Sequence, residues 1–168
     1  MIREVTPGDC ARIAEIYNYY ITDTIVTFEE TEIGAEEIAN RINGTQAKGF
    51  PWIVFEDDGQ VLGYAYATVW RQRASYRHCV EAAVYLDRQV TGRGIGRQLY
   101  QDLIGRLANM KTIHVVVGGI ALPNEASVRL HESLGFENVG IHRQVGRKFG
   151  QWIDVQFLQL NLPCRTND

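Results

Sequence analysis

The chain has 168 residues, 45% of them hydrophobic and 22% charged; this suits one soluble globular domain with a sizeable core and argues against a multidomain assembly. Seventeen Lys and Arg against twenty Asp and Glu give a net charge of −3, so no global attraction draws the protein to nucleic acid or to an anionic membrane. No stretch approaches the ~20 apolar residues of a membrane span, and the composition stands out only in its 16 glycines against 4 prolines.

The opening MIREVTPGD is charged at Arg3, Glu4 and Asp9, which does not suit a signal peptide. Its IREV reads as a short strand. Pro7-Gly8-Asp9 turns the chain into a helix with Ile13, Ile16, Tyr17 and Tyr20 at three- and four-residue spacing, ending near Ile21. Residues 22–31 are irregular apart from Ile25, Val26 and Phe28, helical spacing returns over Ala35 to Ile42, and Gly44 and Gly49 punctuate a loop. Pro51 to Glu56 and Val61 to Trp70 form a hairpin across Asp57-Asp58-Gly59. The basic segment Arg71 to Arg77 (RQRASYR) precedes a strand from His78 to Leu86, the glycine cluster QVTGRGIG, and an amphipathic helix with Ile95, Leu99, Leu103 and Leu107 four apart. Thr112 to Val117 suits one buried parallel strand, ending in Val117-Gly118-Gly119. Pro123-Asn124 opens a helix containing Val128, Leu130 and Leu134 that Gly135 closes, and Val139 to Leu162 reads as two strands around Phe149-Gly150. Residues 1–168 are therefore expected to form a single α/β domain with a mixed sheet.

Cys10, Cys79 and Cys164 are odd in number and lack metal-ligand spacing, so free thiols in a reducing cytoplasm are expected, with no zinc site. His78, His114 and His142 show no such spacing either and read as structural or surface residues. Trp52, Trp70 and Trp152 read as core or interface. Gly92, Gly94 and Gly96 alternate at a strand-to-helix junction flanked by Arg88, Arg93 and Arg97. Missing side chains let backbone amides approach a ligand there, and a helix N-terminus favours an anion, so a phosphate-bearing ligand is inferred. Neither GxxxxGK[ST] nor GxGxxG is present.

The spacing Gln89-x-x-Gly92-x-Gly94 after a strand, with Asn124-x-x-Ser127 and Leu130-His131-x-x-x-Gly135-Phe136 further on, resembles the GCN5-related N-acetyltransferases (GNAT) over essentially the whole chain. Val80-Glu81-x-x-Val84-Tyr85, GRGIG, LPNEASVRLHESLGF and KFGQWIDV are similar in order and spacing to one branch, the phosphinothricin and methionine sulfoximine (or sulfone) acetyltransferases. The resemblance implies the GNAT fold, a mixed and mostly antiparallel sheet flanked by helices. It also implies acetyl-coenzyme A as co-substrate without a metal, and a homodimer to which Trp152 and the Lys148-Phe149 hairpin are candidate contributors. For the cofactor it implies Val84, Tyr85 and Leu86 along the pantetheine arm, and Gln89, Gly92, Arg93, Gly94, Ile95, Gly96 and Arg97 at the phosphates. Asn124, Ser127 and Ser133 stand on the second cofactor-side helix, where Asn124 is equally placed as N-cap. For the acceptor it implies Phe28, Glu29, Arg71, Arg73, Ser75 and Tyr76.

The implied reaction is direct attack of an amine on the thioester, and an α-ammonium of pKa ~8 must first lose a proton. Glu81 is the candidate general base: it interrupts an apolar strand on the face of Ala83 and Tyr85, where partial burial would raise its pKa. The alternative is a solvent-facing glutamate on an edge strand. His131, at a position where many family members carry tyrosine, is either the acid that protonates the departing thiolate or a structural histidine. Arg71, Arg73 and Arg77 suit a carboxylate, phosphinate or sulfone-like oxygen pair, pointing to an acidic or zwitterionic amine such as methionine sulfoximine, methionine sulfone or phosphinothricin. Phe28-Glu29 departs from the Phe-Arg of some phosphinothricin enzymes. A polyamine, an aminoglycoside or a protein N-terminus is the alternative acceptor, and a non-catalytic acyl-coenzyme A sensor the alternative class.

Overall fold

A computed structural model describes residues 1–163; Cys164 lies outside them. Seven strands form one sheet in the order β1-β2-β3-β4-β5-β7-β6. They are β1 (Ile2–Glu4), β2 (Trp52–Asp57), β3 (Gln60–Val69), β4 (Cys79–Leu86), β5 (Val115–Ala121), β6 (Glu137–Lys148) and β7 (Gln151–Asn161). All neighbours pair antiparallel except β4 and β5, which run parallel as the β-branched run before Gly118 suggests. The helices are α1 (Cys10–Asp23), α2 (Ala35–Gln46), α3 (Ile95–Asn109) and α4 (Glu125–Ser133).

Strand alternation assigns the two faces of the sheet to different helices. Val54, Tyr64 and Trp52 on one face join Ile13, Ile16, Tyr17, Ile38 and Ile42 of α1 and α2. Ala65, Ala67, Val80, Val116 and Leu158 on the other join Leu99, Leu103 and Leu107, the four-spaced stripe of α3. Both hairpin turns have positive φ at their two central residues, Asp58-Gly59 and Phe149-Gly150, the mirror-image turn whose twist matches its strands.

Two features open a cleft in this sheet. The β4–β5 ladder runs only from Cys79↔Val115 to Glu81↔Val117, so residues 82–86 have no partner on β5. In β6, the three residues between His142 and Gly146 stand opposite the single Asp154 between Val155 and Ile153 of β7. This bulge is pinned where Asp154 accepts from Arg143 (3.0 Å) and from the Gln144 N–H (2.8 Å), with Gln144 at φ +52°.

β5 does not end at Gly119 as the sequence pattern suggests; it continues through both glycines to Ala121. A strand-interior glycine marks a close approach by another group, and here there are two, on opposite faces. A Cβ on Gly118 would lie 2.4 Å from His131 Nε2, and one on Gly119 would lie 3.3 Å from Glu81 Oε1.

Candidate active site

The parting of β4 and β5 forms a cavity of about 470 Å³ walled by strand residues 81–85 and 119–121, by Asn124, Ser127 and His131 of α4 and its cap, and by Val26 and Phe28 from the loop after α1. Tyr66, Thr68, His142, Val145, Val155 and Phe157 complete it. Sequence reasoning missed these six: their positions follow from register and from the β6 bulge, and only the Gly118-Gly119 pair within a β-branched run hinted that side chains crowd this strand.

Glu81 lies on β4, at the centre of the sheet, so the edge-strand alternative does not hold. Its carboxylate sits beside the bare Gly119 backbone at the point where the two strands separate. Burial raises its pKa above the ordinary glutamate value, with no neighbouring cation to oppose the shift. A carboxylate so placed can take a proton from an amine in the cavity.

His131 is 4% exposed and wedged against Gly118, Tyr100 and Phe136. Burial lowers its pKa, favouring the neutral ring. Nδ1 lies 2.8 Å from the Ser127 carbonyl, which only accepts, so Nδ1 carries the proton, and Nε2, 3.0 Å from the Tyr100 hydroxyl, shares that group's single proton with the Ala82 carbonyl. Tyr100 also reaches the Ala82 carbonyl at 3.1 Å. Both ring nitrogens thus have protein partners, and the same ring forms part of the cavity wall.

The glycine cluster divides by environment. Gly92 and Gly94 have φ of +79° and +78°, are exposed, and would meet nothing with an added Cβ. Gly94 caps α3, leaving the Ile95, Gly96 and Arg97 amides without intrahelical carbonyls. Gly96, grouped with them by sequence, is buried, and its Cβ would come 3.3 Å from Leu86 Cδ1, so its side of the helix serves close packing on β4. Arg88, Gln89, Arg93 and Arg97 are exposed around the loop; Gln89 N–H donates to Asp87 Oδ1 (2.8 Å), and Arg97 donates to Ser133 Oγ (3.0 Å). Asn124 caps α4 by accepting from Ser127 N–H (3.1 Å) and also lines the cavity.

The acceptor-side residues do not all come together. Phe28 lines the cavity, whereas Glu29 accepts from Tyr17 Oη (2.7 Å) and from both ends of the Arg41 guanidinium (2.7 and 3.0 Å), which lower its pKa. Arg71, Arg73, Ser75 and Tyr76 are exposed and absent from the cavity wall. The guanidinium of Arg71 lies 5.2 Å from the Trp70 ring, which packs edge-on against Phe157 of the cavity wall, so two aromatic rings stand between Arg71 and the cavity. Lys148, read as a dimer-contact candidate, is 2% exposed and points inward, whereas Phe149 and Trp152 are 58% and 62% exposed. Among the described residues no His, Cys, Asp and Glu cluster has metal-binding geometry, and no helix is long and apolar enough to cross a membrane.

Comparison with known proteins follows the same outline. The sequence profile of the Acetyltransferase (GNAT) domain matches residues 2–157. The L-amino acid N-acyltransferase MnaT of Escherichia coli (strain K12) is 41% identical, covering 98% of this chain and 95% of its own. The L-methionine sulfoximine/L-methionine sulfone acetyltransferase of Salmonella typhimurium (strain LT2) is 39% identical, covering 96% and 94%. A GNAT superfamily phosphinothricin acetyltransferase from Sinorhizobium meliloti, solved in complex with AcCoA, superposes with a TM-score of 0.93 at 35% identity, covering 96% and 88%.

Proposed function

The chain belongs to the GNAT acetyltransferase family and is an N-acetyltransferase, and we infer that it transfers the acetyl group of acetyl-coenzyme A to the α-amino group of a small amino-acid analogue. The observation that carries the reading is Glu81: a buried carboxylate of raised pKa, beside Gly119, where β4 and β5 part.

The residues fit the co-substrate. Gly92 and Gly94 leave open space before the free amides of α3, with Arg93 and Arg97 beside them, as an anionic pyrophosphate requires. Val84 and Tyr85 pair with β3 but not with β5, so the β5-side edge of β4 can take an amide-bearing arm in the manner of an added strand, up to Leu86, whose carbonyl accepts from the Tyr20 hydroxyl (2.7 Å). Asn124 and Ser127 close the opposite wall. When bound, acetyl-coenzyme A supplies the activated thioester.

Glu81 takes the proton that the acceptor ammonium must lose, directly or through a water, and its burial raises its proton affinity in the sense a general base needs. Tyr66, Thr68 and His142 provide hydrogen-bonding groups around the acceptor, and Phe28, Val145 and Phe157 pack its side chain. Among the described residues no Lys or Arg lines the cavity, which favours the uncharged side chain of methionine sulfone or sulfoximine over the phosphinate of phosphinothricin. Arg71 and Arg73, which stand outside the cavity wall, are then assigned to the acceptor carboxylate. The same absence of cations, with Glu81 inside, gives a polyamine its best argument.

Exposed Val139, Ile141, Val145, Phe149 and Trp152 on the β6–β7 hairpin support a homodimer, testable by light scattering. Cys10 and Cys79 are free thiols, in keeping with a reducing cytoplasm. The deciding assay is thiol release with methionine sulfone, methionine sulfoximine, phosphinothricin and spermidine in competition. Methionine sulfone should win. Preference for spermidine would overturn the acceptor assignment, and tight acetyl-coenzyme A binding without turnover of any amine would overturn catalysis.

A further inference from the structure

Lys148 is the last residue of β6 and, among the described residues, the most deeply buried charged side chain, at 2% exposure. Its Nζ donates to the Thr27 carbonyl at 2.7 Å and to the Tyr20 carbonyl at 3.2 Å, and the Phe149 ring centroid lies 5.1 Å away. Two carbonyls and an aromatic face therefore surround the ammonium. Tyr20 stands in the last turn of α1, whose carbonyl end attracts a cation. Thr27 belongs to the irregular loop between α1 and α2, and the next residue, Phe28, forms a wall of the cavity.

A second contact ties the same two segments. A Cβ on Gly146 would fall 2.3 Å from Phe28 Cζ and 2.5 Å from Cε2, so the ring tip rests on bare backbone that no other residue type would leave open. Phe149 is held at φ +50°, an uncommon conformation for a bulky residue, beside the lysine it covers. None of these groups touches the reacting centre, and the reaction itself uses neither Lys148 nor Gly146.

We propose that Lys148 and Gly146 are positioning residues for acceptor selection: the lysine fastens the β6–β7 hairpin to the loop at Thr27, and the glycine seats Phe28, so that the hairpin sets the width of the acceptor end of the cavity. The proposal rests on the reading that this end of the cavity holds the acceptor. Lys148→Met keeps an unbranched chain but removes all three donors, which frees the loop backbone. Gly146→Ala keeps the lysine and displaces the ring.

The test uses the full chain with acetyl-coenzyme A and methionine sulfone. Lys148→Met should raise the acceptor KM about tenfold or more, move kcat less than about threefold and leave the acetyl-coenzyme A KM unchanged, with Lys148→Arg recovering part of the loss. Gly146→Ala should raise the acceptor KM similarly, but have no added effect in a Phe28→Ala background. Amide hydrogen exchange over residues 24–31 should quicken at least about tenfold in Lys148→Met. Unchanged acceptor KM and exchange in a natively folded Lys148→Met would overturn the role of the lysine. An undiminished Gly146→Ala effect without the Phe28 ring would overturn the role of the glycine. If Lys148→Met does not fold, the Gly146–Phe28 cycle decides. If the wild type acetylates no amine, the functional reading fails, while exchange in Lys148→Met and in Gly146→Ala still tests the fastening.

Discussion

Gly118→Ala places a methyl carbon 2.4 Å from His131 Nε2 and 2.7 Å from Cδ2, well inside van der Waals contact. The imidazole has little freedom to yield, because Tyr100 and Phe136 flank it with ring centroids at 4.9 and 5.0 Å and the Ser127 carbonyl holds Nδ1. Overpacking of a core site costs about 1–3 kcal/mol, and loss of the Tyr100–His131 hydrogen bond adds roughly 1 kcal/mol. The sum, about 2–4 kcal/mol, corresponds to a fall in Tm of roughly 4–16 °C for a chain of this size. Activity should fall about tenfold or more, because Tyr100 also holds the Ala82 carbonyl at the mouth of the cleft. The assay is calorimetry alongside thiol release, with His131→Ala and the double variant completing a cycle. The alanine methyl then enters space the imidazole has vacated, so the double variant should be more stable than the two separate losses imply. A Tm within 1–2 °C of wild type for Gly118→Ala, about what surface substitutions produce, would refute the idea that this glycine exists to seat His131.

Glu81→Gln should abolish the acidic limb of the kcat/KM profile, whose inflection in the wild type should lie above the ordinary glutamate range because burial raises that pKa; an unaltered limb would assign the base elsewhere. The same shift has a sign in stability: a raised folded-state pKa contributes stability below the unfolded value, lost as pH rises through the folded one. Glu81→Gln should therefore have the higher Tm at neutral pH, the advantage fading on acidification. Gly94→Ala, at φ +78° with open space around it, should incur about 1–2 kcal/mol of backbone strain and raise the acetyl-coenzyme A KM. Gly96→Ala, facing a movable Leu86 methyl, should cost under about 1.5 kcal/mol and leave that KM within twofold. Arg71→Ala and Arg73→Ala should raise the methionine sulfone KM only about threefold each, as exposed charges do; a loss of a hundredfold would place these arginines inside the pocket.

The elements that carry strong periodicity were legible in the sequence: the four-spaced leucines of α3, the β2–β3 hairpin across Asp58-Gly59, and the parallel strand before Gly118. Glu81 was legible too, as a single charge in an apolar strand. What was not legible depends on contacts between distant segments. Gly118 and Gly119 looked like a strand terminus because glycine ordinarily weakens a strand; their reason for being there is two side chains from elsewhere in the chain. His142 and Val145 reach the cavity only through a bulge set by Asp154, and no local pattern announces that. Lys148 reads from the sequence as a dimer-contact candidate, since a lysine is seldom buried without partners, and its partners are carbonyls more than a hundred residues away.

A strand edge at the rim of a sheet is a hazard, open to any extended chain that drifts past. Here an open edge lies instead in the interior, between β4 and β5, with α3 packed on one neighbour and α4 on the other. An extended amide that pairs with the free edge of β4 is the kind of ligand such a slot takes. Lying there as proposed, the co-substrate arm continues the ladder of β4 beyond Glu81. The free enzyme should accordingly be the less stable and more aggregation-prone form, with its co-substrate acting as the missing strand.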